Sequence, residues 1–137
     1  MLRPETKVRA RALQFLHAWE LQGRPPVEML AERFGRLGGP AGPQRERAQA
    51  MAQAVSEQLD RLDDDIASVA EKWRLSRIGT VERNILRLGL HELLETDVPP
   101  KVVIDEGVRL AQWFAGEKAP AFVNGMLDAL ARRHGRL

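Results

Sequence analysis

The sequence predicts an all-α protein of about seven helices in two packed helical bundles, and three observations carry that prediction. Apolar residues recur at helical spacing through nearly the whole chain. Breaks rich in Pro and Gly cut the pattern into helix-length pieces. The single β-branched run, Val102-Val103-Ile104, lies within a helical period that continues through it, so no strand signal is left.

The helices follow in order. Val8, Ala12, Phe15 and Trp19 fall at i, i+4, i+7 and i+11, with Leu16 beside them. Lys7, Arg9 and Arg11 lie in the first turns of this helix, mostly off its apolar face. Positive charge there opposes the helix dipole by ~0.3–1 kcal/mol at an exposed site, which favours a role facing a ligand. Gly23 to Pro26 ends the helix, and Pro25 and Pro26 suit the entry to a short second one carrying Val27, Leu30, Ala31, Phe34 and Leu37. Gly38-Gly39-Pro40-Ala41-Gly42-Pro43 reads as a linker. A phosphate-binding loop would need a preceding strand and a Lys-Ser/Thr ending, and both are missing.

From Gln44 to Trp73, the residues Met51, Val55, Leu59, Leu62, Ile66, Val69 and Trp73 form a near-heptad seam, on one long helix or on two joined by a bend. Trp73 to Gly79 is a short connection, and Thr80 is the expected N-cap of the next helix. The stretch from Thr80 to Leu130 then holds three apolar helical patterns, separated by Asp97-Val98-Pro99-Pro100 and by Gly116 to Pro120. Each has an interior glycine, at Gly89, Gly107 and Gly125. Glycine within a helix costs roughly 0.5–1 kcal/mol against alanine, so all three suggest close backbone approach between packed helices. The expected organisation is a single domain over 1–137, with helical subdomains over 1–73 and 74–137 and helix clusters on either side of the Gly/Pro linker.

Composition narrows the function. With 137 residues, 44% hydrophobic and 29% charged, the chain has the makeup of an ordinary globular protein with a real core. No apolar run approaches the ~18–20 residues of a membrane span, the N-terminus has no signal-like apolar core, and a cytoplasmic location is expected. The absence of cysteine excludes disulfides, thiolate metal sites and cysteine nucleophiles. Charge is unevenly spread. Residues 1–24 hold five basic residues against two acidic ones, a net +3. Residues 131–137 hold three basic residues and no acid, and residues 57–65 set five acids against Arg61 for a net −4. Basic ends suggest an anionic partner and the acidic middle a basic one, against the plainer reading of solvated faces.

Catalytic patterns are missing. His17, His91 and His134 fall in three different helical patterns, and His91-Glu92-Leu93-Leu94-Glu95 has Glu95 where a zinc-protease helix has its second histidine. Asp63, Asp64 and Asp65 are successive helical residues about 100° apart and cannot converge on one ion, so they are expected to form a solvated or partner-facing surface. Asp105 and Glu106 diverge likewise, and one of them is expected to bond a neighbouring helix end. Ser56, Ser68 and Ser76 lack a nucleophile-elbow context. Neither an enzyme nor a bound cofactor or metal is expected. Binding is left: arginine and lysine for phosphates, with Trp113, Phe114, Lys118 and Phe122 around one loop where an aromatic can stack an unpaired base. Of Trp113 and Phe114, at least one is expected in the core.

The stretch Val81-Glu82-Arg83-Asn84-Ile85-Leu86-Arg87-Leu88-Gly89-Leu90-His91-Glu92-Leu93-Leu94, followed by Asp97-Val98-Pro99, Val103-Ile104-Asp105-Glu106, Leu110-Ala111 and Phe122-Val123-Asn124-Gly125-Met126-Leu127-Asp128, resembles the NusB family of bacterial transcription antitermination factors. The opening Lys7-Val8-Arg9-Ala10-Arg11-Ala12-Leu13-Gln14 is similar to that family's arginine-rich start. Order, spacing and length fit throughout, most weakly across residues 24–56. The resemblance implies a NusB-like fold that binds boxA RNA together with ribosomal protein NusE. It further implies assembly with other Nus factors on RNA polymerase, in support of ribosomal RNA operon transcription. By position, Lys7, Arg9, Arg11, Lys118 and Phe122 are then RNA-binding residues, and His17 and Glu82 face NusE. Homodimerisation across the RNA face is a further expectation. Glu5 and Thr6 thin the positive charge of the opening, and Lys118 stands where some relatives have an acid. Two alternatives are the NusB-like module of a ribosomal RNA methyltransferase and a protein-only helical scaffold. Since no methyltransferase domain follows Leu137, a free-standing factor is expected.

Overall fold

The structure, a computed structural model, describes residues 3–70 and 77–137. Among these residues the chain forms seven α-helices and no strand: α1 (Pro4–Leu21), α2 (Val27–Arg33), α3 (Pro43–Glu57), α4 (Leu59–Val69), α5 (Thr80–Glu95), α6 (Pro100–Phe114) and α7 (Ala119–Arg133). The all-α expectation holds. Trp73, and with it most of the expected connection before Gly79, lies outside the described residues. No described helix is long and apolar enough to cross a membrane.

Two compact units result, Met1–Glu57 and Gln58–Leu137. The expected subdomain boundary after residue 73 therefore differs from the observed one by the whole of α4. The physical reason is that α4 buries Leu62 and Ile66 while packing on α5 and α7. The heptad-like seam is two helices, parted at Gln58, whose φ −117° and ψ 20° leave helical geometry.

In the first unit, α1 packs on α2 and α3. Val8, Ala12, Phe15, Leu16 and Trp19 are buried as their spacing predicts, against Val27, Leu30, Ala48, Ala52 and Val55 of the unit's core. Pro4 opens α1, where its missing N–H costs nothing. The Gly38–Pro43 stretch joins α2 to α3 inside this unit rather than parting two clusters. It lies close to α1: a Cβ at Gly38 (φ +76°) would stand 2.3 Å from the Phe15 ring. Arg45 fixes the same turn from α3, donating from Nε to the Leu37 carbonyl at 2.8 Å and from Nη2 to that of Ala31 at 3.0 Å. The bond to Ala31 satisfies a carbonyl that the end of α2 otherwise leaves without a partner.

In the second unit, α5 is the hub, touching α4, α6 and α7, and every residue from Asn84 to Leu90 is buried. Gly79, not Thr80, is its N-cap; Thr80 begins the helix and its hydroxyl accepts a bond from Arg83 at 3.3 Å. Two of the three interior glycines do what was expected of them, and they serve the same residue. A Cβ at Gly89 would lie 2.7 Å from one Leu127 methyl, and a Cβ at Gly107 would lie 2.6 Å from the other. Gly125 differs: it is exposed, with nothing near its missing side chain, because it falls on the outer side of α7.

Two carboxylates of the acidic stretch, Asp63 and Asp65, are engaged within this unit rather than solvated or turned to a partner, while Asp60 and Asp64 are exposed as expected. Asp63 grips Arg87, which is only 1% exposed, through Nε at 2.7 Å and Nη2 at 2.9 Å. Asn84 Oδ1 accepts a third bond from the same guanidinium at 2.8 Å. Asp65 receives Arg133 at 2.9 Å and bonds His134 through its other oxygen. Arg136 donates to the carbonyls of Leu93, Thr96 and Val98, closing the end of α5. Glu106 is mostly buried, with Arg109 at 3.8 Å, while Asp105 is exposed.

Candidate nucleic-acid interface

In the first unit, α1 carries the basic opening. Lys7 and Arg11 stand four residues apart, hence on one side of the helix. Lys7 is exposed and Arg11 half-buried, its guanidinium beside Gly39 where the backbone is left-handed (φ +90°). Arg11 also lines an open cleft of about 380 Å³ with Pro40, Ala41, Gly42, Pro43 and Gln44. Arg9 is placed differently. At 8% exposure it is buried, because its position falls next to the Val8 and Ala12 face rather than opposite it. His17, two turns further on, is exposed.

In the second unit, the loop between α6 and α7 meets the start of α5. Arg77, Ile78, Gly79, Glu82, Gly116, Lys118, Ala119 and Phe122 line a cleft of about 310 Å³. Its floor is apolar, from Ile78 and Ala119, both buried. Lys118 is the exposed N-cap of α7, and Phe122, half-buried, follows one turn later. Pro120 near the head of α7 sets the turn that brings them together. The Glu82 carboxylate folds back over the α5 N-cap, where a Cβ on Gly79 would lie 2.1 Å from its oxygen. A side chain at position 79 would push that carboxylate aside. A carboxylate in the first turn also complements the helix dipole.

Lys118, Phe122 and Glu82 thus share one cleft, although sequence reasoning gave the first two to RNA and the third to a protein. Arg77 was missed. It follows directly on the undescribed residues, and no periodic pattern singled it out. The chemistry is that of a binding surface: one aromatic edge, two cations and one carboxylate around a shallow apolar floor. No group of acids and histidines able to hold a metal occurs among the described residues.

Trp113 and Phe114 correct the expectation of at least one core aromatic. They are 42% and 46% exposed and meet edge-on, with centroids 6.2 Å apart and planes at 89°. They occupy the last turn of α6, after which the chain leaves for the loop. The histidine of α5 is unrelated to either cleft. Burial lowers the His91 pKa below its ordinary 6.5, against the raising influence of Glu95 and Glu92, and its Nδ1 is buried with no bonding partner.

Comparison with known proteins agrees along most of the chain. The NusB family model matches residues 6–132. The transcription antitermination protein NusB of Salinispora tropica is 41% identical over 126 residues, covering 91% of this chain and 93% of that one. Its counterpart in Nitratiruptor sp. is 38% identical, covering 92% and 90%. Among solved structures, NusB of T. maritima superposes with a TM-score of 0.83 at 32% identity, covering 96% and 93%. A structure of antitermination factors NusB and NusE in complex with dsRNA superposes at 0.80 with 31% identity, covering 97% and 99%. By family match, by identity and by fold, this chain belongs to the NusB family, whose members are transcription antitermination factors and not enzymes.

Proposed function

We propose that the chain is a transcription antitermination factor that binds boxA-type single-stranded RNA together with ribosomal protein NusE, supporting transcription of ribosomal RNA operons. The observation that carries this reading is the likeness, over 97% of the chain, to a structure of NusB with NusE and dsRNA. In this proposal Lys7 and Arg11 of the first unit neutralise phosphates, and Arg9, being buried, braces the helix that presents them. In the second unit Lys118 meets a phosphate and Phe122 offers its edge of the cleft to a base. His17 and Glu82 receive NusE. Assembly with other Nus factors on RNA polymerase, a homodimer of the free protein and a cytoplasmic location belong to the same proposal.

The test is titration of a labelled boxA-type RNA, with and without NusE, over a series of salt concentrations. Binding that tightens with NusE and weakens steeply with salt is expected, since each neutralised phosphate of a single strand contributes a slope of about −0.7 in log K against log salt. Absence of binding in both conditions would leave a protein-only scaffold. Lys118→Asp is expected to weaken RNA binding by about 1 kcal/mol or less, as befits an exposed charge; unchanged affinity would remove Lys118 from the interface.

A further inference from the structure

We propose that Trp113, buttressed by Phe114, is a second base-stacking platform that extends the RNA path beyond the Lys118–Phe122 cleft onto the outer face of α6. This rests on the RNA-binding reading above and deepens it.

Three observations carry the inference. The first is exposure: two large aromatic side chains in one helical turn each leave over two-fifths of their surface in water, and their edge-on contact holds them as one unit. An aromatic plane held in place by its neighbour stacks an unpaired base with little further loss of side-chain freedom. The second is continuity. Ala115 and Gly116 lead directly from this pair to Lys118, and Gly116 itself lines the cleft. Five residues of chain span at most about 17 Å, so the platform lies within a few nucleotides of Lys118. The third is the surrounding chemistry. Arg109 stands one turn before Trp113 with its side chain about half exposed, and its hold on Glu106 at 3.8 Å is too long to engage it fully. It is placed for the phosphate of a base stacked on Trp113.

The occupant these features favour is RNA rather than protein. The rest of the outer face of α6 is Lys101, Asp105, Arg109 and Gln112, with Val102 its one further exposed apolar residue. A protein interface buries roughly 800 Å² per partner around a contiguous desolvated centre. A lone aromatic pair among charges is too small for that and matches the π-face of one base. The acids Asp105, Glu106 and Glu117 keep the local charge near neutral, so stacking rather than phosphate attraction supplies the affinity here.

The experiment compares two fluorescein-labelled single-stranded boxA-type RNAs. One is the shortest that the wild-type protein binds, and the other is lengthened by a few nucleotides at either end in turn. Trp113→Ala is expected to weaken binding of one lengthened RNA about tenfold, within the range for losing one stacked base, and to leave the short RNA unaffected. Trp113→Phe, which keeps a ring, is expected to recover most of the loss. Equal binding of every RNA by wild type and Trp113→Ala would overturn the platform while leaving the functional reading intact. So would an equal loss on short and long RNAs, the mark of a structural role, or a loss confined to NusE binding, the mark of a protein-docking patch. A wild-type protein that binds no RNA would overturn both readings together.

Discussion

The two basic ends of this chain carry the same net charge and meet opposite fates. In the C-terminal segment every cation is engaged within its own unit. Arg132 bonds Asp128 at 2.9 Å, Arg133 and His134 share Asp65, and Arg136 closes the end of α5. In the N-terminal segment Arg24 is tied to Glu20 and to the Trp19 ring, and Arg9 is buried. Lys7 is left exposed, and Arg11 lines an open cleft. Net charge counts both segments equally. What separates them is whether an acid or a helix end lies within reach, and Asp65, Asp128 and the end of α5 lie within reach of the tail. One segment is therefore mortar, and the other leaves Lys7 and Arg11 open to a polyanion.

The sharpest way to break this contrast is to attack the acidic stretch itself. Asp63→Asn removes the charge of the carboxylate that grips the buried Arg87 guanidinium, and a loss of about 3 kcal/mol is expected in urea unfolding. Arg136→Ala removes a donor from three carbonyls and is expected to cost ~1–2 kcal/mol of stability, with RNA affinity unchanged. Lys7→Ala is expected to do the reverse: the unfolding midpoint stays fixed, while the salt slope of RNA binding falls by about 0.7. An Arg136→Ala protein that keeps its stability but loses RNA would erase the distinction.

The smallest effect concerns pH. The folded-state pKa of His91 is lowered, so the native state holds fewer protons than the unfolded chain at mildly acidic pH. Stability from this group is complete above its ordinary value of 6.5 and is lost as pH falls from there toward the folded-state pKa. His91→Leu is expected to flatten that part of the stability profile, as followed by thermal unfolding at a series of pH values.

Much of the fold was legible because helical packing writes itself in local spacing. Val8 to Trp19 and the Ile85 to Leu90 stripe are buried as their periods require. What could not be read depends on distance along the chain. Asp63 finds Arg87 across 24 residues and Asp65 finds Arg133 across 68, and no local pattern marks either partner. Trp113 and Phe114 fit an apolar period, yet a period gives direction only and says nothing about whether a neighbouring helix reaches that turn. The same limit applied to Gly125. For the candidate interface, Lys118 and Phe122 were legible as a cation and an aromatic about one loop and Glu82 through family resemblance alone, and the structure adds that they line one cleft with Arg77.

The seat of Leu127 has a consequence for how this sequence can change. Its two methyl groups occupy two glycine notches on different helices, so swinging away from one presses it into the other. Positions 89, 107 and 127 therefore form a single unit of heredity. Alanine at either glycine is expected to force Leu127 aside, whereas a shorter residue at 127 makes room for it but by itself leaves a cavity. The three positions are therefore expected to change together more readily than singly, which a double-mutant cycle on unfolding free energy checks.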